Sequence, residues 1–368
     1  MMKKLLLFLL MGMMALGTVA EEGKFTVTGT VKGQGRKATC AVTDAWGGAI
    51  YYDDKLSITD DKVDLSFDLE DVGWLMVYYY GRMFYMMPAV PGEAVTIDGE
   101  VGNYTVDGSA LYKEYNEAMT VIKPLQEARS KYDFKQACRD EIAGKTSEQV
   151  FDLYQLKMKE QSQPVTDAVL DLIGRYRDHE SSMLLLNSLS RMEELEKARW
   201  LISEQVLNGR MNSYYEGTLE RVKKSGASNP LLGKPAPDFK LKDTNGKKLS
   251  LSSLRGKWAL LDFWYADCSN AVTQFPILKM MYNKYKDHVE ILGVDCIDEE
   301  QEWKTAVTEM DLPWLNVWSD RDIEDPKSPM AIYGTTATPT YFLISPSGKV
   351  AMWLSSANEF MYMCELLF

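Results

Sequence analysis

The chain has 368 residues, with 41 Lys and Arg against 53 Asp and Glu, for a formal charge of −12. No Lys/Arg cluster interrupts that acidity, which argues against a nucleic-acid partner, because phosphate binding needs concentrated positive charge. Two histidines (His179 and His288, both in charged surroundings) and five widely spaced cysteines form no metal-type grouping and no dense disulfide framework, so no metal and no other cofactor is expected.

Met1-Met2-Lys3-Lys4 is a short basic start, Leu5 to Gly17 is an apolar run too short to span a bilayer comfortably, and Thr18-Val19-Ala20 offers small residues for cleavage before Glu21 and Glu22. This pattern reads as a signal peptide over residues 1–20 and as export from the cytoplasm, with no integral membrane segment afterwards. Loss of Lys3 and Lys4 with the leader takes the formal charge to −14. No cysteine follows the apolar run until Cys40, which argues against a lipid-modified cysteine at the cleavage point.

Residues 21–108 alternate apolar and polar positions in FTVTGTV, KATCAVT, VDLSFDL, WLMVYYY, AVTIDGE and NYTVDG, separated by Gly, Asp and Pro. Short strands at this spacing predict an antiparallel β-sandwich. The Met- and aromatic-rich LMVYYYGRMFYMMP reads as a hairpin giving one face to its core. Residues 109–226 change to helical period, in ALYKEYNEAMTVIKPLQEA, SEQVFDLYQLKMKEQ, VTDAVLDLIGRYRD and MEELEKARWLISEQVL, punctuated by Gly144, Pro164 and Gly209.

After a linker at Ser225–Pro230, residues 230–368 alternate strands and helices, which indicates an α/β layer structure with a partly parallel sheet. FKLKDTNGKKLSLS reads as a hairpin around a two-residue Asn245-Gly246 turn. WALLDFW is a near-continuous apolar run, as expected of a buried central strand. A helix (AVTQFPILKMMYNKYKD), the strand VEILGVDCI, the helix EEQEWKTAVTEM, and the strands LNVWSD, TPTYFLISP and GKVAMWL follow.

At these residues the chain resembles secreted thioredoxin-like thiol-disulfide oxidoreductases and their redoxin relatives. GKPAPDFKLKDTNGKKLSLSSLRGKWALLDFW matches the entry hairpin and first central strand of that family. Cys268 falls where its attacking cysteine sits, and Pro276 matches the proline that kinks the following helix. Thr338-Pro339 matches the proline beside the active site, usually cis, and PSGKVAMW the closing hairpin. The resemblance implies a thioredoxin-like domain over residues 230–368, a periplasmic or cell-envelope location, and protein or peptide thiols and disulfides as partners, with an envelope thiol reductase among them. It also makes Asp262, six residues before Cys268, the counterpart of a buried acid that moves protons during exchange. Open α/β sheets gather reactive groups at the carboxyl ends of strands, and a helix amino end favours thiolate over thiol.

The departures matter as much. The family carries two cysteines separated by two residues, whereas this chain reads Asp267-Cys268-Ser269-Asn270-Ala271. A mixed disulfide is normally released by a second thiol, and Ala271 supplies none. Asp267 places negative charge beside the sulfur, which opposes thiolate formation. Cys296, ending the neighbouring strand VEILGVDC, is the one candidate for a resolving thiol; otherwise it is an apolar filler. The candidate catalytic residues are therefore Cys268, Asp262, Pro339 and Cys296. Two functions follow: monothiol exchange (isomerisation or mixed-disulfide capture) through Cys268, or a non-catalytic thioredoxin-fold binding module that has lost redox activity. A peroxidase would have a threonine where Tyr265 stands, and copper delivery would need a second cysteine and a nearby histidine.

Overall fold

The structure is a computed structural model that describes residues 23–33, 37–44, 49–57, 60–79, 82–225, 229–321 and 323–368. The leader expected over residues 1–20 lies outside the described residues. The chain forms two compact units. The first takes the described residues up to Val121 with Asp171–Asn187 and Trp200–Thr218; the second takes Ile122–Leu170, Ser188–Arg199 and Leu219–Phe368.

The first unit holds eight strands among the described residues: β1 (Lys24–Lys32), β2 (Lys37–Thr43), β3 (Ala49–Ser57), β4 (Lys62–Asp68), β5 (Gly73–Tyr79), β6 (Arg82–Ala89), β7 (Ala94–Glu100) and β8 (Asn103–Asp107). They make two four-stranded sheets, ordered β4-β1-β7-β8 and β3-β2-β5-β6. Every pairing is antiparallel except β1 with β7, which is parallel. The period-two pattern behaves as its physics requires: Phe25, Val27 and Val31 are fully buried along one side of β1. On β5 and β6, Leu75, Val77, Tyr85 and Met87 turn inward while Met83 and Met86 stay exposed, so the Met-rich hairpin supplies core from one face. The Tyr104 hydroxyl donates to the Met86 carbonyl (2.8 Å) and accepts from the Met86 N–H (2.9 Å), tying β8 to β6.

The helices that follow are α1 (Ala110–Ser130), α2 (Phe134–Ala137), α3 (Arg139–Ile142), α4 (Ser147–Arg175), α5 (Ser181–Leu185), α6 (Met192–Leu201), α7 (Glu204–Leu207) and α8 (Asn212–Lys224). Pro164, read in the sequence as a break between two helices, instead lies inside α4. Proline forfeits one backbone bond, to the carbonyl of exposed Glu160, where water can replace it. Burial of Val165, Val169, Leu172 and Ile173 along one stripe outweighs that loss.

In the second unit a seven-stranded sheet has the order β10-β9-β13-β12-β11-β14-β15, built from β9 (Lys240–Asp243), β10 (Lys248–Ser250), β11 (Trp258–Phe263), β12 (Val289–Asp295), β13 (Leu315–Trp318), β14 (Thr340–Ile344) and β15 (Val350–Leu354). Helices α9 (Ser269–Val272), α10 (Phe275–Tyr285), α11 (Glu300–Glu309), α12 (Pro329–Ile332) and α13 (Ala357–Leu367) complete it. Strand β11 is buried at every position, parallel to β12 and antiparallel to β14. Its alternate residues feed two separate cores. Trp258, Leu260 and Trp264 pack with Phe275, Leu278 and Phe360, whereas Ala259, Leu261 and Phe263 pack with Met330, Tyr333 and Phe342. The first of these cores also takes Phe134, Val150 and Phe151 from the helical segment, and the Trp258 indole N–H donates to the Ser147 hydroxyl at 2.8 Å. The β9–β10 turn is a residue longer than the two-residue reading: Asp243 N–H bonds the Lys247 carbonyl, and Gly246 takes the left-handed φ of +77° that closes such a loop.

Gly29 shows how tightly β1 and β7 approach. Its φ is +140°, and a Cβ there would stand 1.9 Å from the Ile97 carbonyl oxygen. Because backbone cannot yield as a side-chain tip can, Gly29→Ala is expected to lower stability by about 2–4 kcal/mol, read as an earlier midpoint in chemical denaturation.

Candidate active site

Strand β11 delivers the chain to the site. Past Phe263, the Trp264 N–H still bonds the Val294 carbonyl of β12 (3.2 Å), and the loop Tyr265–Asp267 then turns so that the Cys268 N–H reaches the Tyr265 carbonyl (3.1 Å). Cys268 caps the amino end of α9, a single turn of four residues. The long helix expected from the sequence is divided at Thr273-Gln274, with Pro276 in the first turn of α10, where its missing N–H breaks no helical bond. The helical field at Cys268 is accordingly that of one turn. Cys268 is 6 % exposed, and Asp267 beside it faces solvent.

The loop before β14 closes over the sulfur. The Thr338–Pro339 peptide is cis, and the Thr338 hydroxyl donates to Cys268 Sγ at 3.6 Å. Cys268 and the Thr338-Pro339 pair, seventy positions apart in sequence, are thus neighbours.

Asp262 is wholly buried, and neither carboxyl oxygen has a hydrogen-bond partner. Burial alone pushes its pKa up to about 8, because an ionised carboxylate there would lose its hydration with nothing in exchange. The register places Asp262 between Tyr341 on β14 and Gly293 on β12, with Asn316 of β13 next in the same row. The Tyr341 hydroxyl, Asn316 Oδ1 and the indole N–H groups of Trp264 and Trp314 are also buried without partners. A Cβ at position 293 would lie 2.5 Å from Asn316 Oδ1 and 2.8 Å from Trp264 Nε1, so the glycine makes room for these polar ends. Burial, then the charges of Asp262 and Cys268, hold the Tyr341 hydroxyl well above the usual phenol range. A polar row therefore runs through the core on the Cys268 side of the sheet. Sequence reading found only Asp262 of it, since Tyr341, Gly293 and Asn316 come from separate segments joined by register alone.

Cys296, read in the sequence as a resolving thiol or else an apolar filler, follows the strand next to the one that leads to Cys268. The two cysteines do follow the carboxyl ends of adjacent parallel strands, but their side chains enter different cores: Cys268 packs with Trp264, Ala271 and Phe275, and Cys296 with Val294, Met330 and Tyr333. Period two on β12 carries Cys296 to the same side as Leu292 and Val294, into the core that does not include Cys268. Burial pushes the Cys296 thiol up to about 12. No disulfide joins any of the five cysteines. Beside Cys296 lies an arrangement that sequence reading missed. Asp298 accepts a hydrogen bond from the Ala266 N–H (2.6 Å), pinning the loop ahead of Cys268. Asp295 accepts from the Ile297 and Asp298 N–H groups, and burial with Asp298 beside it pushes its carboxyl up to about 7. Among the described residues no group of three or more His, Cys, Asp or Glu is arranged to hold a metal.

Residues 232–352 match the AhpC/TSA family. Over 120 residues the chain is 36% identical to the thiol-disulfide oxidoreductase ResA of Bacillus thuringiensis subsp. konkukian, covering 32% of this chain and 66% of that protein. Over a span of the same length it is 35% identical to ResA of Bacillus subtilis, covering 64% of it. Among solved structures, the thioredoxin domain of a thiol-disulfide oxidoreductase from Bacteroides vulgatus is 30% identical, with 36% of this chain and 95% of that one covered and a TM-score of 0.34. The chain thus spans just under two thirds of the length of the ResA proteins it matches. Residues 232–352 are thus similar to the AhpC/TSA family, and the similar proteins over that span are thiol-disulfide oxidoreductases.

Proposed function

We propose that this domain carries out thiol-disulfide exchange outside the cytoplasm through Cys268 as its single working thiol, by isomerising or capturing protein and peptide disulfides. The observation that carries the reading is the Thr338 hydroxyl 3.6 Å from Cys268 Sγ, next to cis Pro339. In the proposed step the Cys268 thiolate attacks one sulfur of a substrate disulfide; a Cys268–substrate disulfide forms, the original bond breaks, and the departing thiolate takes up a proton. Hydrogen bonds to charged sulfur are stronger than to neutral sulfur, so Thr338 supports the attacking form. Asp262, half-ionised near pH 8, is suited to accept the Cys268 proton and return one to the leaving thiolate. With Ala271 in place of a second cysteine and Cys296 on the other face, the mixed disulfide is released by another thiol of the substrate or by an envelope thiol reductase. The first route rearranges disulfides with no net oxidation. Export rests on the leader pattern of residues 1–20; no helix among the described residues is long and apolar enough to cross a membrane.

A second reading, a non-catalytic module that binds peptides beside Thr338-Pro339, draws on the 6 % exposure of Cys268 and on Ala271. The two separate cleanly. If Cys268 works, mass spectrometry of the protein mixed with a peptide disulfide finds the peptide bonded to Cys268, Cys268→Ser forms no adduct, and Thr338→Val slows adduct formation by about fivefold, the worth of roughly 1 kcal/mol. An unlabelled Cys268 alongside retained peptide binding would establish the module instead.

The buried carboxyl sets a pH dependence with a definite sign. An unfolded aspartate titrates near 3.9, and folded Asp262 near 8. Between those values the folded chain keeps a proton that the unfolded chain has released, so stability falls as pH rises, by up to about 1.4 kcal/mol per unit, and levels off above about 8. Asp295, raised to about 7, adds a slope of the same sign. Asp262→Asn is expected to flatten the loss of melting temperature between about pH 5 and pH 8 and to leave the protein more stable than the parent at the alkaline end. Equal pH profiles for the two proteins would remove Asp262 as a buried titrating group.

A further inference from the structure

Strand β15 is the last strand of the seven-stranded sheet. Among the described residues its outer edge is paired only at Val350, which exchanges backbone bonds with Gly233 N–H (2.8 Å) and the Lys234 carbonyl (2.9 Å). Beyond that point Ala351–Leu354 have no further strand or bridge outside them among the described residues. An open edge offers a ladder of backbone donors and acceptors.

A groove follows this edge. One cavity of about 580 Å³ lies between Ala351, Met352 and Trp353 on one side and Leu156 and Met158 of α4 on the other. A second, of about 410 Å³, shares Gln155, Leu232 and Ala351 with the first and continues past Lys349 and Val350. Two cavities that share walls along a strand suit an elongated occupant better than a compact one. Leu156, 54 % exposed, gives the wall apolar surface that solvent now covers.

The larger cavity also inverts the charge of the protein. Arg129, Lys159 and Arg191 line it, in a chain of formal charge −12. Arg129 and Lys159 have no carboxylate within ion-pair distance among the described residues. Arg191 stands 3.7 Å from Glu194, but that carboxylate already accepts from the Thr166 hydroxyl and the N–H groups of Ser190 and Arg191. Nearby Glu193 is occupied by Lys197 at 2.7 Å. The neighbouring cavity is mixed, with Glu148 and Asp152 against Lys349. Anions are therefore favoured at one end of the groove.

We propose that this groove binds an extended acidic polypeptide segment of a partner protein, which adds as a further strand along the open part of β15 and places its carboxylates against Arg129, Lys159 and Arg191. Main-chain pairing supplies affinity in such an arrangement, and the side chains that alternate toward the cations supply selectivity. The groove shares no lining residue with Cys268 or Thr338, so the inference goes beyond thiol exchange and stands apart from it.

The test uses the full chain and a fluorescent peptide of about seven residues alternating Glu and Thr, enough to span the open strand at ~3.3 Å per residue. Fluorescence anisotropy at low ionic strength is expected to show saturable binding. Arg129→Gln with Lys159→Gln should weaken it by about tenfold or more without changing the melting temperature, and N-methylation of alternate peptide bonds should weaken it by a similar factor. Cys268→Ser should leave it unchanged, which separates this result from the fate of the thiol reading. Equal binding of the Lys-for-Glu peptide, indifference to N-methylation, full competition by glutarate at matched carboxylate concentration, or no binding at millimolar peptide would each overturn the proposal.

Discussion

The site depends on the two-sided burial of β11. A strand covered on both faces must send alternate residues into two separate cores, and here that rule decides the chemistry. Even positions carry Trp258, Leu260, Asp262 and Trp264 toward the core that also receives Cys268; odd positions carry Ala259, Leu261 and Phe263 away from it. The same alternation on β12 sends Cys296 to the far side. Of the two cysteines that follow these strands, only Cys268 is confined to the core on the Asp262 side, because the pleat parts them.

That confinement shapes the electrostatics. The core on the Cys268 side is rich in aromatic rings, with Trp264 and Trp314 both set edge-on to Phe275. Such surroundings stabilise by burial and dispersion but offer few partners for polar atoms. The carboxyl of Asp262, the Tyr341 hydroxyl and the two indole N–H groups are held there by backbone register rather than by one another. Natural cores rarely retain unpaired polar atoms in a row, and those that do are commonly tied to function. Asp298, by contrast, is satisfied: its bond to Ala266 fixes the loop that presents Cys268.

Much of this was legible in the sequence, for identifiable reasons. Strand β11 announced itself as an unbroken apolar run, and the cis proline as Thr338-Pro339 before TYFLI. Cys268, Asp262 and Pro339 could be named because the residues around them resemble the thioredoxin-like oxidoreductases. What stayed hidden depends on geometry that spacing does not encode. Side-chain facing of Cys296 needs the register of β12; the polar row needs four strands aligned; and Asp298 reaches Ala266 across a loop. The persistence of α4 through Pro164 is a related case, in which burial of Val165 and Val169 overrides a local signal. The open edge of β15 was likewise unreadable, since strand order is a property of the assembled sheet.

Ala271 has a wider consequence. It is fully buried in the single turn that begins at Cys268, three residues on. Side chains three apart on a helix lie on the same face. Alanine and cysteine differ by one sulfur atom. A single substitution, Ala271→Cys, would therefore set a second thiol three positions after the one that the Thr338 hydroxyl contacts.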